Sequence, residues 1–130
     1  MGKEAVGAVV LDAGALIAFE RAHPGMRALL REAIRTKIRI VIPAGVVGQV
    51  FRDGARQVQL RALLAGPTSE VPPLDQILAE AAGTLCGRTK TSDVIDASVV
   101  LTARRCRAPV ITSDVGDLHK LDPTLRLERI

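Results

Sequence analysis

Aromatic side chains are almost absent from this chain. Its 130 residues include two phenylalanines but neither tryptophan nor tyrosine, so aromatics make up 2% of the composition. The core must therefore be built from valine, isoleucine, leucine and alanine. The aromatic platforms on which unpaired bases stack are missing as well, which excludes the usual kind of single-strand-binding module. Any contact with nucleic acid would have to depend on charge or on shape.

Cysteines and long apolar runs are also scarce. Cys86 and Cys106 lack the CxxC spacing of a redox or zinc site, so we expect a reduced pair, as in cytosolic proteins. No apolar run approaches the roughly 20 residues that span a bilayer, and no apolar stretch of a signal peptide is found. We therefore expect a cytoplasmic protein that does not contact a membrane. The glycine-rich phosphate loops GxxxxGK[ST] and GxGxxG are missing too.

The length and the charge of the chain fit one domain with a basic surface. Because the chain has 130 residues, residues 1–130 are expected to form a single domain. Its net charge is +4. Basic residues are concentrated between positions 21 and 61. Arg27, Arg31 and Arg35 share one face of a predicted helix, and this basic ridge suits a phosphodiester substrate. A solvated surface without a partner is the alternative.

Apolar runs alternate with amphipathic segments along the chain. Runs typical of strands occur at residues 5–11, 38–42, 109–112 and 125–130, with a brief piece at Val71. Helices are predicted at residues 13–20, 26–36, 44–52, 55–64, 74–86, 93–105 and 114–121. We expect Gly87 to end the fifth helix, and Thr91 or Ser92 to cap the sixth. The alternation predicts a three-layer α/β/α fold with a mostly parallel central sheet.

Aspartates cluster at the boundaries of these predicted elements. In chain order they are Asp12, Asp93, Asp96, Asp114 and Asp117. Because the carboxyl ends of parallel strands share one edge of a sheet, side chains placed there converge on one crevice. Converging carboxylates repel one another unless a hard cation neutralises them, and oxygen ligands suit Mg²⁺ or Mn²⁺. The pattern predicts a metal-dependent phosphoryl-transfer site.

Each aspartate also has a purely structural interpretation. Asp12 suits the N-cap of the helix that follows it, and Asp93 suits the positive end of a helix dipole. Asp114 followed by Asp117 resembles a capping box with a shortened side chain. Capping explains Asp96 less well, because aspartate is a poor helix former among the apolar neighbours that surround it. The coincidence of three such boundaries favours a common site.

Four segments that contain these residues resemble motifs of a known family. The first is Val-Val-Leu-Asp12-Ala-Gly-Ala-Leu-Ile-Ala, and the second is Ile-Pro-Ala-Gly-Val-Val-Gly-Gln-Val-Phe-Arg at residues 42–52. The third is Ser-Asp-Val-Ile-Asp96-Ala-Ser-Val-Val-Leu-Thr-Ala, and the last is Val-Ile-Thr112-Ser-Asp114. In this order they resemble the motifs of PIN-domain proteins, and specifically of the VapC-type toxins of toxin–antitoxin pairs. The resemblance covers most of the chain.

The resemblance implies a PIN-like fold and a Mg²⁺- or Mn²⁺-dependent endoribonuclease, the toxin of a type II, VapBC-like pair. A metal-activated water would cleave RNA phosphodiesters. The metal ligands it implies are Asp12, Asp96, Asp114 and Asp117, and the catalytic set is Asp12, Asp96, Asp114 and Asp93. Thr112 and Gln49 would hydrogen-bond to the ligands without touching the metal. The implied partners are RNA, a cognate VapB-like antitoxin and a second copy of the chain. The ridge of Arg27, Arg31 and Arg35 is the candidate contact with the RNA backbone or with an acidic antitoxin.

One position departs from the family's pattern. Gln49 stands where these proteins usually have a glutamate, and its amide adds no charge to the site. Either Asp93 or Asp53 would supply the missing carboxylate, and we favour Asp93. A weakened metal site and a loss of activity are the other consequences that Gln49 leaves open.

Two other functions are compatible with the sequence. One is a catalytically degenerate module that binds RNA or a partner protein through its basic face. The other is a receiver-like phosphoacceptor, which also gathers aspartates at strand ends around Mg²⁺. That function needs a lysine near the last strands, and Lys120 is poorly placed for it.

Overall fold

The structure is a computed structural model, and it describes residues 7–130. Five parallel strands form one sheet in the order β3-β2-β1-β4-β5. The strands are β1 (Ala8–Leu11), β2 (Arg39–Val41), β3 (Ser69–Glu70), β4 (Val110–Thr112) and β5 (Leu127–Arg129). The predicted α/β fold with a parallel sheet is confirmed. Residues 5 and 6 of the first predicted strand lie outside the described residues.

Helices occur at each of the predicted places, with shifted ends. They are α1 (Ala13–Glu20), α2 (Pro24–Arg35), α3 (Ala44–Val50), α4 (Val58–Leu64), α5 (Gln76–Thr89), α6 (Val94–Cys106) and α7 (Val115–Leu121). Helix α2 begins earlier than predicted, because Pro24 occupies its first turn and His23 Nδ1 accepts a hydrogen bond from the Met26 amide. Over residues 7–130, no helix combines the length and the apolar character needed to cross a membrane.

The junction between α5 and α6 differs from the prediction. Helix α5 runs past Gly87, whose Cα faces open space, and ends at Lys90, which has a left-handed φ of 58°. Asp93 caps α6 by accepting a hydrogen bond from the Asp96 amide at 2.9 Å, so the predicted caps were wrong. Burial of Ala82 and Cys86 against the core carries α5 through the glycine. The third strand was also misplaced, since β3 precedes Val71.

The strand order places helices on both faces of the sheet. From β1 to β3 the chain steps outward on one side, and β4 and β5 then lie on the other side of β1. Because parallel crossovers are right-handed, this reversal puts α1 to α4 on one face and α5 to α7 on the other. The helices of each group pack on one another. Leu11 and Ile111 in the central strands are fully buried, and each such side chain contributes roughly 1.5–3 kcal/mol.

The reversal of strand order creates a crevice between β1 and β4. These strands are neighbours, with Leu11 paired to Ile111, and both end at what we call the carboxyl edge of the sheet. Asp12 and Asp114 are the N-caps of the helices that follow them. Open α/β sheets bind ligands at such a switch point. The opposite side, where the strands begin, is called the amino edge below.

Candidate functional site

Asp12 is held in place at the carboxyl end of β1. Its Oδ1 accepts a hydrogen bond from the Ala15 amide at 2.9 Å, which caps α1. The residue is 6% exposed. Burial raises the pKa of its carboxyl group, hydrogen bonds from Thr112 and Ala15 oppose the rise, and repulsion from Asp114 adds to it. The capping interpretation of Asp12 is correct, and it leaves the second carboxylate oxygen free of the cap.

Thr112 links two of the aspartates. Its hydroxyl oxygen accepts a hydrogen bond from the Asp114 amide at 2.8 Å, and its hydrogen bond to the Asp12 carboxylate lowers the pKa of that group. The side chain is fully buried. Thr112 therefore fixes the backbone of Asp114 and influences the Asp12 carboxylate, and its supporting role beside a metal stays a prediction.

Asp93 and Asp96 lie together at the start of α6. The Asp93 carboxylate caps the helix through the Asp96 amide, and the Asp96 side chain is half-buried. Burial raises the pKa of Asp96 to about 7, and repulsion from the other four aspartates, Asp93 first among them, adds to the effect. The Asp96 carboxyl is thus kept in a place that disfavours its negative charge. Such a shift is more typical of a functional group than of a helix cap.

Asp114 and Asp117 complete the group at the start of α7. Asp114 Oδ1 accepts a hydrogen bond from the Asp117 amide at 3.2 Å, so the predicted capping arrangement is present. Asp117 lies 3.8 Å from Lys120 Nζ. Over residues 7–130 this is the one ion pair that any of the five aspartates makes. The negative charge of the group is therefore largely unopposed.

All five aspartates line one cavity of about 280 Å³, which we call the acidic pocket. Its full lining is Asp12, Ala13, Gly14, Gln49, Asp93, Asp96, Ser113, Asp114, Asp117 and Leu118. The convergence expected from the sequence is therefore found, and the caps and the cluster are formed by the same side chains. Capping and clustering are not alternatives here.

The acidic pocket fits a divalent cation in its donor chemistry and its charge. Its ligands are carboxylate oxygens, which suit Mg²⁺ and Mn²⁺, and a cation would relieve the repulsion that raises the pKa of Asp96. In residues 7–130, however, no three carboxylate, imidazole or thiol groups form a ready-made metal cage. Cation binding therefore requires these side chains to draw closer together than they lie here.

Gln49 lies at the pocket, and Asp53 does not. Gln49, on α3, is exposed and lines the same cavity as Asp93. Asp53 lies in the loop after α3, where it hydrogen-bonds to the Ala55 amide and pairs with Arg56 at 3.7 Å. Asp53 does not line the acidic pocket, whereas Asp93 does, and the role of Asp93 as the missing carboxylate stays a prediction.

Gly14 and Ser113 are two small residues that shape the pocket, and the role of Gly14 was not predicted from the sequence. A Cβ atom built at Gly14 would lie 2.2 Å from Ser113 Oγ and 3.3 Å from Ser113 Cβ, so a larger residue would require the Ser113 hydroxyl to turn away. Ser113 places its hydroxyl at the rim, between the elements that carry Asp12 and Asp114. The signal available in the sequence was the Ala-Gly-Ala segment directly after the first aspartate.

The predicted basic ridge lies away from the acidic pocket and is partly engaged. Arg27 stacks over the Phe19 ring, 5.1 Å from its centroid, and donates to Gln59. Arg35 forms an exposed ion pair with Glu32. Arg31 remains exposed beside an apolar groove. The three arginines are therefore not a uniform free strip, and their contact with RNA or a partner stays a prediction.

A second cavity, of about 460 Å³, adjoins the acidic pocket and shares Asp93, Asp96 and Asp117 with it. We call it the lysine cavity. Its other lining residues are Thr89, Lys90, Thr91, Ser92, Lys120 and Leu121. This cavity was not predicted from the sequence, although four of its lining residues form the Thr-Lys-Thr-Ser run directly before Asp93.

No protein-family model and no curated protein matches this chain, whereas solved structures do. VapBC2 from Rickettsia felis, bound to a DNA fragment from its promoter, matches with a TM-score of 0.69 and 15% identity over 95% of this chain and 98% of that chain. FitAB bound to an IR36 DNA fragment matches with a TM-score of 0.62 and 16% identity, over 93% of this chain and 94% of that chain. FitAcB from Neisseria gonorrhoeae matches with a TM-score of 0.64 and 19% identity, over 92% of this chain and 95% of that chain.

These findings correct the family recognition drawn from the four motifs. The assignment to the PIN-domain family and its VapC-type toxins is wrong as an assignment, because no family model matches and identities of 15–19% show a fold alone. The matching structures are two-protein complexes, and the likeness does not say which component this chain corresponds to. What stands is that the chain shares its α/β fold with a chain of the VapBC2, FitAB and FitAcB complexes.

Proposed function

We propose that this chain is a Mg²⁺- or Mn²⁺-dependent endoribonuclease that acts within a toxin–antitoxin system. The observation that carries the proposal is the acidic pocket, in which five aspartates from three element boundaries meet at the switch point of a parallel sheet. The raised pKa of Asp96 supports it, because carboxylates arranged against their own repulsion are typical of cation sites. The likeness to VapBC2 and FitAB, which are toxin–antitoxin complexes, supports the second half.

The roles of the residues follow from their positions. Asp12, Asp96 and Asp114 would hold the cation, with Asp117 at the rim and Asp93 in place of the charge that Gln49 lacks. The cation, when bound, supplies charge neutralisation at the phosphate and lowers the pKa of a bound water. The Asp93 carboxylate is placed to orient that water or to accept its proton. Thr112 would support the site by accepting a hydrogen bond from the Asp114 amide and by favouring the charged form of Asp12.

A protein partner is part of the proposal, because toxin–antitoxin proteins work in pairs. An apolar groove between α1, α2 and α4 is lined by Phe19, Leu30 and Leu63, with Arg27 and Arg31 at its rim. Ile34 beside it is 50% exposed. An antitoxin segment with apolar and acidic side chains would suit this surface. Pairing with a second copy of the chain also stays a prediction.

The proposal is tested by cleavage of a fluorescently labelled RNA in Mg²⁺ and in Mn²⁺. Asp12→Asn keeps a side chain that can cap α1 but removes its charge, and we expect cleavage to fall to background. The matched control is Asp75→Asn, because Asp75 caps α5 in the same way, accepting from the Leu78 amide at 2.9 Å, outside the acidic pocket. Equal cleavage by Asp12→Asn and wild type would refute the proposal.

Gln49 favours a second candidate function, a non-catalytic module that binds RNA or a partner protein. A neutral amide in place of a carboxylate lowers the charge available to hold a cation. This candidate predicts RNA binding that neither depends on divalent cations nor leads to cleavage. Binding measured by fluorescence anisotropy with and without EDTA separates the two candidates.

A further inference from the structure

The lysine cavity opens directly onto the acidic pocket. Asp93, Asp96 and Asp117 line both cavities, so a chain bound across the acidic pocket has a continuous path into the larger one. Its volume of about 460 Å³ falls within the range of roughly 300–1,000 Å³ that is typical of ligand clefts. Whatever occupies the cavity would lie next to the group that the carboxylates act on.

The lysine cavity carries positive charge that the acidic pocket lacks. Lys90 and Lys120 line it, and both residues are exposed. Lys120 is engaged only weakly, because its 3.8 Å pair with Asp117 lies at the surface, where such pairs contribute about 0–1 kcal/mol. Lys90 makes none of the ion pairs found in residues 7–130. Both ammonium groups are thus available to an anion.

The backbone fixes where these lysines stand. Lys90 ends α5 in a left-handed conformation, and its amide donates to Cys86 O, which turns the chain toward Asp93. Thr89 and Thr91 hydroxyls lie 3.0 Å apart in this turn. Lys120 comes from α7, the helix capped by Asp114. Two lysines on separate elements therefore face one cavity, with hydroxyl groups between them.

Resting on the proposed function, we propose that the lysine cavity is a substrate subsite that holds the phosphate–ribose segment of RNA adjacent to the cleaved bond. Lys90 and Lys120 are positioning residues that bind backbone phosphates. Thr91 and Ser92 offer hydroxyl groups to the ribose or phosphate oxygens. A site whose carboxylates repel RNA needs a nearby cationic surface to keep the polymer in place, and this cavity supplies it.

The test compares matched lysine variants by fluorescence anisotropy, with a labelled, mixed-sequence, single-stranded 12-nucleotide RNA in Ca²⁺. The tested protein is Lys90→Ala/Lys120→Ala. The control is Arg105→Ala/Arg107→Ala, which also removes two exposed basic side chains. Arg107 ends α6 in a left-handed conformation, with φ of 53°, as Lys90 ends α5, and neither arginine lines the lysine cavity. We expect the double lysine variant to raise Kd by about tenfold and to reduce the salt slope by about 0.7 for each phosphate that is no longer bound. The double arginine variant should change Kd less than about twofold.

Cleavage of the same RNA in Mg²⁺ then separates this inference from the proposed function. A raised KM with kcat nearly unchanged supports the subsite, and Lys90→Arg/Lys120→Arg should recover most of the affinity. Wild-type affinity and KM in the alanine variant, with cleavage still abolished by Asp12→Asn, would overturn the subsite and leave the nuclease. An equal loss in Arg105→Ala/Arg107→Ala would also overturn it, since net charge alone would then explain binding. RNA that wild type binds through these lysines and never cleaves would overturn the nuclease instead.

Discussion

The two ends of helix α6 contact aspartates whose pKa values are shifted in opposite directions. At its first turn, Asp96 lies half-buried among four other carboxylates, and its pKa is raised to about 7. At its last turn, Arg104 contacts Asp122, which follows α7 and is 7% exposed. The effect of burial on Asp122 is outweighed by hydrogen bonds from Thr124 and Arg104, which hold its pKa below the ordinary value. The bonds from Arg104 Nε and the Thr124 amide are both 2.9 Å long.

The difference distinguishes a structural carboxylate from a candidate functional one. Around Asp122 the fold supplies a cation and two donors, so the negative charge is satisfied by the chain itself. Around Asp96 the fold supplies further negative charge, so the charge of this carboxylate must be neutralised by a proton or a cation from outside the chain. Groups that are kept under repulsion cost stability and are typical of sites that bind a ligand. We therefore expect substitution of Asp96 to reduce activity and substitution of Asp122 to reduce stability.

The largest expected effect is on RNA cleavage. Asp96→Asn should reduce cleavage by more than about 100-fold, because loss of a partner outside the ligand shell alone costs about 10–100-fold. Asp122→Asn should retain cleavage within a factor of about three, measured per mole of folded protein. The readout is the initial rate in saturating Mg²⁺, with folding checked by circular dichroism. Comparable losses in the two variants would erase the distinction between the regions.

The next effect is on stability and concerns the amino edge. Asp122→Ala removes the acceptor for three hydrogen bonds, from Arg104, the Thr124 amide and the Thr124 hydroxyl. We expect the free energy of unfolding to fall by about 2–3 kcal/mol, measured by urea denaturation. Asp75→Ala, which removes a single cap bond outside the acidic pocket, is the comparison and should cost about 1 kcal/mol. An Asp122 variant as stable as wild type would contradict the structural role.

A smaller effect appears in the pH dependence of stability without metal. The pKa of Asp96 is near 7 in the folded state and 3.8 in the unfolded state, so between these values the folded state holds a proton that the unfolded state releases. Stability of wild type should therefore decrease as pH rises from about 4 to 7, and level off above that. Asp122 has the opposite sign, since its lowered pKa gives stability that is lost on acidification.

The variant Asp96→Asn isolates the contribution of Asp96 to this pH dependence of stability. The variant should lack the decrease and be more stable than wild type by about 1–2 kcal/mol at pH 8 in EDTA, discounted for the partial exposure of the side chain. Added Mg²⁺ should close the gap by stabilising wild type alone. Thermal melts at pH 5, 6, 7 and 8 make the measurement. Parallel pH profiles for the two proteins would show that Asp96 is not held under repulsion.

The smallest effect is expected at the rim of the acidic pocket. Gln49→Glu adds a carboxylate to a lining that already includes Asp93. We expect a rise of about three- to tenfold in Mn²⁺ affinity, because each added charge strengthens binding of a hard cation. Gln49→Ala is the neutral control. Unchanged affinity in Gln49→Glu would mean that Asp93 already completes the charge of the site.

The sequence was sufficient where strand ends decide the arrangement, and it failed where packing decides. Asp12 and Asp114 could be placed together because each comes after a buried run, and parallel strands share an edge. The helix end at Gly87 was wrong because burial of α5 outweighs the intrinsic cost of one glycine. The lysine cavity depends on the left-handed turn at Lys90, which no periodicity indicates. The family assignment failed for another reason, since short motifs show less than a match over the whole chain.

Titration calorimetry with Mn²⁺ at pH 6, in buffers of different ionisation enthalpy, measures the central quantity directly. With the pKa of Asp96 at about 7, most of its carboxyl groups carry a proton at this pH, and a bound cation must displace it. We predict saturable binding with release of close to one proton in wild type, and weaker binding without proton release in Asp96→Asn. Absence of saturable binding, or the same proton release in both proteins, would contradict a cation site built from these aspartates.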